Sequence, residues 1–85
     1  MRGQRSRLFG IISAVKEFLE RVAEVLEVPE IGAADDFRSV PAWGSLLGFG
    51  LMVMIGQRYN RRLSAAEMAA ARTVADLAVL AGVEQ

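Results

Sequence analysis

A repeat of apolar residues every three or four positions between Leu8 and Val28 constrains the fold more than any other feature of the sequence. Glutamates occupy many of the positions between them, which is the pattern of an amphipathic α-helix with one apolar face. Pro29 follows, and a proline disfavours helical geometry at the residue before it. The pattern predicts a first helix over residues 8–28, whose apolar face needs other helices to cover it. The repeat consists of Ile11, Ile12, Val15, Phe18, Leu19, Val22, Val25 and Leu26.

The rest of the chain predicts three shorter helices and no strand. Residues 30–44 have no sustained period, so we expect a long ordered loop there. Residues 45–59 form an apolar run, and two capping-box spacings predict helices over 65–70 and 74–81. The predicted fold class is all-α: a small four-helix bundle with a long loop between helices 1 and 2 and a short third helix. The loop residues expected to reach the core are Ile31, Phe37, Val40 and Trp43, and the capping boxes are Ser64 with Glu67 and Thr73 with Asp76.

The length and composition of the chain indicate one small folded domain. A chain of 85 residues buries only about two-thirds of its unfolded surface, so one modest core is the upper limit. Its hydrophobic content of 53% is too high for a disordered chain. We expect a disordered basic lead over residues 1–7, a single domain over residues 8–82 and a tail over residues 83–85.

The amino-acid types that are missing exclude several kinds of site. The sequence has no Cys and no His, which removes disulfides, thiolate nucleophiles and imidazole metal ligands. Ten basic and ten acidic residues cancel, which argues against nucleic-acid binding through bulk charge. We therefore expect no catalytic residue, no metal and no nucleic-acid partner.

Two segments have some features of membrane signals. The arginines before Leu8 resemble the start of a secretory signal, but Lys16 and Glu17 interrupt the apolar stretch and no small-residue cleavage site follows. The apolar run from Leu46 to Ile55 is about half the ~20 residues that a spanning helix needs. The interpretation from these patterns is a cytoplasmic protein without a membrane partner.

Ser45 is the main candidate for a functional residue. It directly precedes the apolar run, where the N-cap of a helix belongs. From its position alone, a plain N-cap is the commoner role for such a serine.

The sequence around Ser45 resembles that of the acyl carrier proteins. The segment Trp43-Gly44-Ser45-Leu46 resembles the family's Asp-Ser-Leu motif, and one subgroup has Trp two residues before the serine. The spacing from Ser45 to Thr73-Val74 needs no gap against the common pattern, and the resemblance runs from the first helix to Leu80. Other segments that resemble the family are Asp35-Asp36-Phe37 before the motif, and Tyr59, Leu63, Ser64 and Thr73-Val74-Ala75-Asp76-Leu77 after it.

The resemblance implies an acyl carrier protein whose Ser45 carries 4'-phosphopantetheine transferred from coenzyme A. The thiol of this arm would hold an acyl group as a thioester for partner enzymes of fatty-acid, polyketide or related specialised biosynthesis. The implied partners are a phosphopantetheinyl transferase and acyl-loading and acyl-using enzymes of the synthase, ligase or acyltransferase type. The chain itself would be a monomeric phosphoprotein and not an enzyme. A phosphodiester on Ser45 would meet free backbone N–H groups at the start of a helix.

The second helix departs from the family pattern in its charges. Gly44 stands where the family has Asp, and no acid lies between Ser45 and Tyr59. Typical members are acidic and offer this helix to basic patches on their partners, so docking here is expected to depend on shape and apolar contact. The expected docking residues are Leu46, Met52, Val53, Trp43 and Arg58.

Other interpretations of these residues stay open. Core packing is as good an explanation for the apolar docking residues. Trp43 is expected to pack the loop against the bundle, and Arg58 suits the negative end of a helix dipole. One alternative function is an unmodified interaction module that binds a partner or self-associates through the apolar second helix. A weaker alternative is a protein that lies on a membrane surface.

Overall fold

The computed structural model describes residues 2–83, with side chains from residue 13 onwards. Within them lie four α-helices, and the loop between the first two contains one 3-10 turn. No strand occurs in these residues, although one isolated antiparallel bridge pairs Asp36 with Thr73. The expected all-α, four-helix architecture is confirmed. The elements are α1 (Arg2–Leu26), the 3-10 turn (Phe37–Ser39), α2 (Ser45–Tyr59), α3 (Ala65–Ala70) and α4 (Val74–Ala81).

The start of α1 differs from the sequence prediction. The helix begins at Arg2 and not at residue 8, so the lead that we expected to be disordered over residues 1–7 is helical from residue 2. Arginine and glutamine in this lead are good helix formers, and an existing helix extends through such residues without apolar ones. The described residues do not include Met1, or Glu84 and Gln85 of the predicted tail, or the side chains of Ile11 and Ile12.

The end of α1 comes two residues before the predicted one, at Leu26. Glu27 takes the left-handed conformation with φ of 62°, and the Val28 N–H donates to the Ala23 carbonyl at 3.0 Å. This bond is the 6→1 hydrogen bond of a Schellman motif, a common C-terminal cap of α-helices. Because Pro29 favours an extended conformation at Val28, the helix stops before that residue.

The core lies where α1 packs against α2 and α4. Gly50 on α2 allows a close approach to α1, since a Cβ atom there would lie 3.2 Å from Cγ1 of Val25. Each large apolar side chain that is fully buried in this core stabilises the fold by about 1.5–3 kcal/mol. The largest fully buried side chains are Phe18, Val22, Leu26, Phe37, Leu51, Ile55, Val74 and Leu77.

The loop over residues 30–44 is attached to the core by Phe37 and to the end of α3 by Arg38. The Phe37 ring is fully buried in the core. The Arg38 guanidinium donates to the carbonyls of Ala71 at 2.6 Å and Met68 at 2.5 Å, at the end of α3. Carbonyls at a helix end have no partner within the helix, so Arg38 completes α3 and holds the loop against it. The other loop residues expected in the core, Ile31, Val40 and Trp43, are half-buried against it.

Both short helices begin with the predicted capping boxes. The Glu67 N–H donates to Ser64 Oγ at 3.0 Å, and the Ser64 N–H donates to the Glu67 carboxylate at 2.9 Å. Thr73 and Asp76 repeat this exchange at the start of α4. Hydrogen bonds from the Thr73 and Arg72 N–H groups lower the pKa of Asp76 below its ordinary value.

Candidate functional site

Ser45 is the first residue of α2, and its side chain is exposed. The N-cap is Gly44 and not Ser45, because the Gly44 carbonyl accepts the first helical hydrogen bond, from the Gly48 N–H at 3.1 Å. The expectation that Ser45 is itself the N-cap is therefore wrong. Its hydroxyl forms no hydrogen bond with any residue that the structure describes, so it is free for chemistry.

The backbone donors at the start of α2 lack the partners that a helix usually finds there. Gly44 has no side chain to cap them, and the first turn contains no acid. The N–H groups of Ser45, Leu46 and Leu47 have no carbonyl one turn behind them. These donors, together with the positive end of the helix dipole, suit an anionic group such as a phosphodiester on the Ser45 hydroxyl. The residues present therefore fit an attached phosphopantetheine arm.

The glycine before Ser45 leaves the site open on that side. Gly44 has φ of 178° and ψ of 179°, an extended conformation that any residue adopts. A Cβ atom built on it meets no atom within 4 Å. The backbone would accept an aspartate here, so the absence of a carboxylate beside Ser45 comes from the sequence and not from steric need.

Trp43 fixes the chain where it enters α2. Its ring packs edge-on against Phe37, with 5.6 Å between the centroids and 67° between the planes. The ring also lies over Gly48, where a Cβ atom would be 3.4 Å from it. Trp43 is thus half-buried between the loop and α2. It packs the loop against the helix, one of the two roles that the sequence analysis gave for it.

The opposite end of α2 is held by Tyr59. Its ring packs edge-on against Phe18 of α1 at 5.4 Å between centroids. Burial raises the pKa of Tyr59 above its ordinary value, Glu17 acts in the same direction, and Arg21 acts against both. Both ends of α2 are therefore anchored by aromatic contacts, and Ser45 lies at one of these anchored ends.

The outward face of α2 is apolar. Leu46 is 80% exposed, Phe49 is 64% exposed and Val53 is 37% exposed. Of the predicted docking residues, Leu46, Val53 and Arg58 are exposed. Met52 is half-buried and so less accessible to a partner. The sequence prediction missed Phe49, although its spacing from Leu46 and Val53 places all three on one stripe of a helix.

Other kinds of site are not indicated within residues 2–83. No group of three or more acidic side chains in this range could hold a metal ion. Among the helices described there, none combines the length and the apolarity needed to cross a membrane.

A family model for the phosphopantetheine attachment site matches residues 16–80, more than half of the chain. No curated protein and no solved structure matches the chain. The matched segment includes all of α2, α3 and most of α4, with Ser45 and its uncapped helix start inside it. The chain therefore belongs to the phosphopantetheine attachment site family, whose members carry 4'-phosphopantetheine as a covalent cofactor.

Proposed function

We propose that Ser45 is the attachment residue and that residues 8–82 act as an acyl carrier. The exposed, unbonded hydroxyl on the first residue of an uncapped helix carries this proposal. Among the serines with described side chains, Ser39 donates its hydroxyl to the Asp36 carbonyl at 2.7 Å and Ser64 caps α3. Ser13 is exposed but lies outside the matched segment.

The chain's own residues have a limited set of tasks in this function. The Ser45 oxygen anchors the phosphate, and the N–H groups at the start of α2 stabilise its negative charge. Trp43 and Phe37 hold the loop that leads into Ser45, so the anchor has a fixed position. When bound, the arm supplies the thiol that carries an acyl group as a thioester. With no Cys and no His in the sequence, the carrier depends on partner enzymes for every bond that is made or broken.

The proposed partners are a phosphopantetheinyl transferase and enzymes that load or use acyl groups in fatty-acid, polyketide or related specialised biosynthesis. Docking is assigned to Leu46, Met52 and Val53, with Trp43 and Arg58 as further contacts. The exposure of Leu46, Val53 and Arg58 supports this assignment. We place the carrier in the cytoplasm as a monomer, on the sequence patterns given above.

The proposal is tested by intact mass after incubation with coenzyme A and a broad-specificity phosphopantetheinyl transferase. We expect one phosphopantetheine on the wild-type chain and none on Ser45→Ala. Ser39→Ala is the matched control and keeps full modification. Modification of Ser45→Ala would assign the arm to another residue.

Two observations favour a second candidate, the unmodified interaction module. The position before Ser45 lacks the family's aspartate, and the outward face of α2 exposes Leu46 and Phe49. If the transferase leaves the wild-type chain unmodified, and protein from its own host is also unmodified, the carrier proposal fails and this module takes its place.

A further inference from the structure

The outward face of α2 carries a ridge of three apolar side chains, Leu46, Phe49 and Val53, which we name the α2 ridge. A groove of about 420 Å³ lies on its α1 side and includes Arg58 in its lining. A second groove of about 480 Å³ lies on its other side and includes Arg61 and Arg62. Phe49 and Val53 line both grooves, so they form the crest between them.

The charges around the α2 ridge have one dominant sign. No Asp or Glu occurs in the chain between Asp36 and Glu67. Arg58, Arg61 and Arg62 are exposed, and none of them pairs with a carboxylate of the described residues.

Among the described residues that line the two grooves, the one acid belongs to α1. Glu24 borders the first groove, together with Arg21, whose charge is paired with Glu17 at 2.7 Å. No acid lines the second groove. In the lining of the two grooves, three arginines without a carboxylate partner among the described residues therefore accompany one carboxylate, so this lining is positively charged.

The geometry points to a partner protein with an apolar pocket for the α2 ridge and Asp or Glu side chains on the rim of that pocket, opposite Arg58, Arg61 and Arg62. Complementary charges at a rim steer the encounter and fix the register of docking, while the apolar centre supplies affinity. This inference rests on the proposed function, because Ser45 begins the same helix. Phe49 lies about 6 Å along the helix axis from Ser45, at 1.5 Å per residue. A partner on the α2 ridge would thus lie next to Ser45, the proposed attachment point of the arm.

Two other occupants fit the surface less well. A second copy of the chain would bring the same arginines and no carboxylate from α2, so the positive charges would stay unpaired. A membrane surface is flat and would leave both grooves beside the α2 ridge unfilled. Its anionic headgroups would attract arginines spread along the whole polar face of a helix, but here they cluster at the C-terminal end of α2.

The inference is tested with two synthetic helical peptides that share a Leu and Phe apolar face. One peptide has only Glu and Asp on its polar face, and the other has Lys at the same positions. Each is titrated into isotope-labelled Ser45→Ala protein, with amide shifts followed by NMR in about 0.1 M and about 1 M salt, where the Debye length falls from ~10 to ~3 Å. Vesicles of phosphatidylcholine and phosphatidylglycerol in equal parts, and the protein alone at rising concentration, form the other two arms.

We expect the acidic peptide to bind about tenfold more tightly than the basic one, with its largest shifts on the α2 ridge and on residues 58–62. High salt should remove most of this preference. Phe49→Ala should weaken binding about tenfold, and Arg58→Glu with Arg62→Glu should reverse the preference. The matched controls, Val79→Ala on an exposed site of α4 and Arg72→Glu, should leave binding unchanged.

Equal or tighter binding of the basic peptide would overturn the inference. Tighter binding to the vesicles than to the acidic peptide would assign the surface to a membrane, and dimerisation that Phe49→Ala abolishes would assign it to a second copy. Because the titration uses Ser45→Ala, it does not depend on modification. Failure of the proposed function appears as an unmodified wild-type chain in the mass measurement, whereas failure of this inference appears only in the titrations.

Discussion

The starts of α3 and α4 differ from the start of α2. At α3 and α4 the side chain of the N-cap residue accepts a hydrogen bond from a backbone N–H, and the acid three residues later accepts one from the N–H of the N-cap residue. At α2 the N-cap is Gly44, which has no side chain, and the first turn contains no acid. The two capped starts satisfy their own donors and serve the fold. The uncapped start leaves its donors free beside an exposed serine, which is what an attached anionic group requires.

Arg38→Ala should cause the largest loss of stability among these variants. It removes the hydrogen bonds to the carbonyls at the C-terminal end of α3. The Arg38 guanidinium makes charge-assisted hydrogen bonds to the carbonyls of Met68 and Ala71 and a longer one, of 3.3 Å, to the carbonyl of Ala69. We expect the free energy of unfolding to fall by about 2–3 kcal/mol, measured by urea denaturation. Arg72→Ala is the control: it removes an exposed arginine with no side-chain hydrogen bond to a described residue and should cost less than about 0.5 kcal/mol. Equal effects of the two substitutions would contradict the role given to Arg38.

Thr73→Ala and Ser45→Ala compare a capped helix start with an uncapped one directly. Thr73 Oγ1 accepts from the Asp76 N–H at 3.3 Å, so its loss should lower the free energy of unfolding by about 1 kcal/mol. Ser45 caps nothing, so its substitution should change that free energy by less than about 0.5 kcal/mol. The measurement is urea denaturation of the unmodified proteins. If Ser45→Ala is as costly as Thr73→Ala, the Ser45 side chain supports the fold after all.

Gly44→Asp should give the smallest effect and remove the contrast between the helix starts. The backbone at Gly44 is extended and a Cβ atom has room. A carboxylate at the N-cap position accepts from the free donors, so we expect a gain of about 0.5 kcal/mol in the free energy of unfolding. The same variant should be modified faster by a transferase that reads the family's aspartate, measured by intact mass over time. A stabilised protein with an unchanged rate would show that the transferase does not use this carboxylate.

Local signals in the sequence were sufficient for most of the secondary structure. The ranges of α2, α3 and α4 coincide with the predicted ones, since each is set by short-range features. These are the capping spacings at Ser64 and Thr73 and the left-handed residues Asn60 and Gly82 at two helix ends. The start of α1 had no such signal, because the arginines before residue 8 neither favour a stop nor form part of the apolar repeat.

The sequence by itself determined the ranges of α2, α3 and α4, the capping boxes of α3 and α4 and the position of Ser45 at the start of α2, because neighbouring residues decide these features. Only the tertiary structure decided which face of α2 is buried. The helix is apolar nearly all round, so its periodicity does not distinguish Leu51 and Ile55, which are buried, from Leu46 and Phe49, which are exposed. That choice depends on where α1 packs against α2, and the two helices are far apart along the chain. For the same reason the bonds from Arg38 to the end of α3, thirty residues and more along the chain, could not be predicted from local pattern.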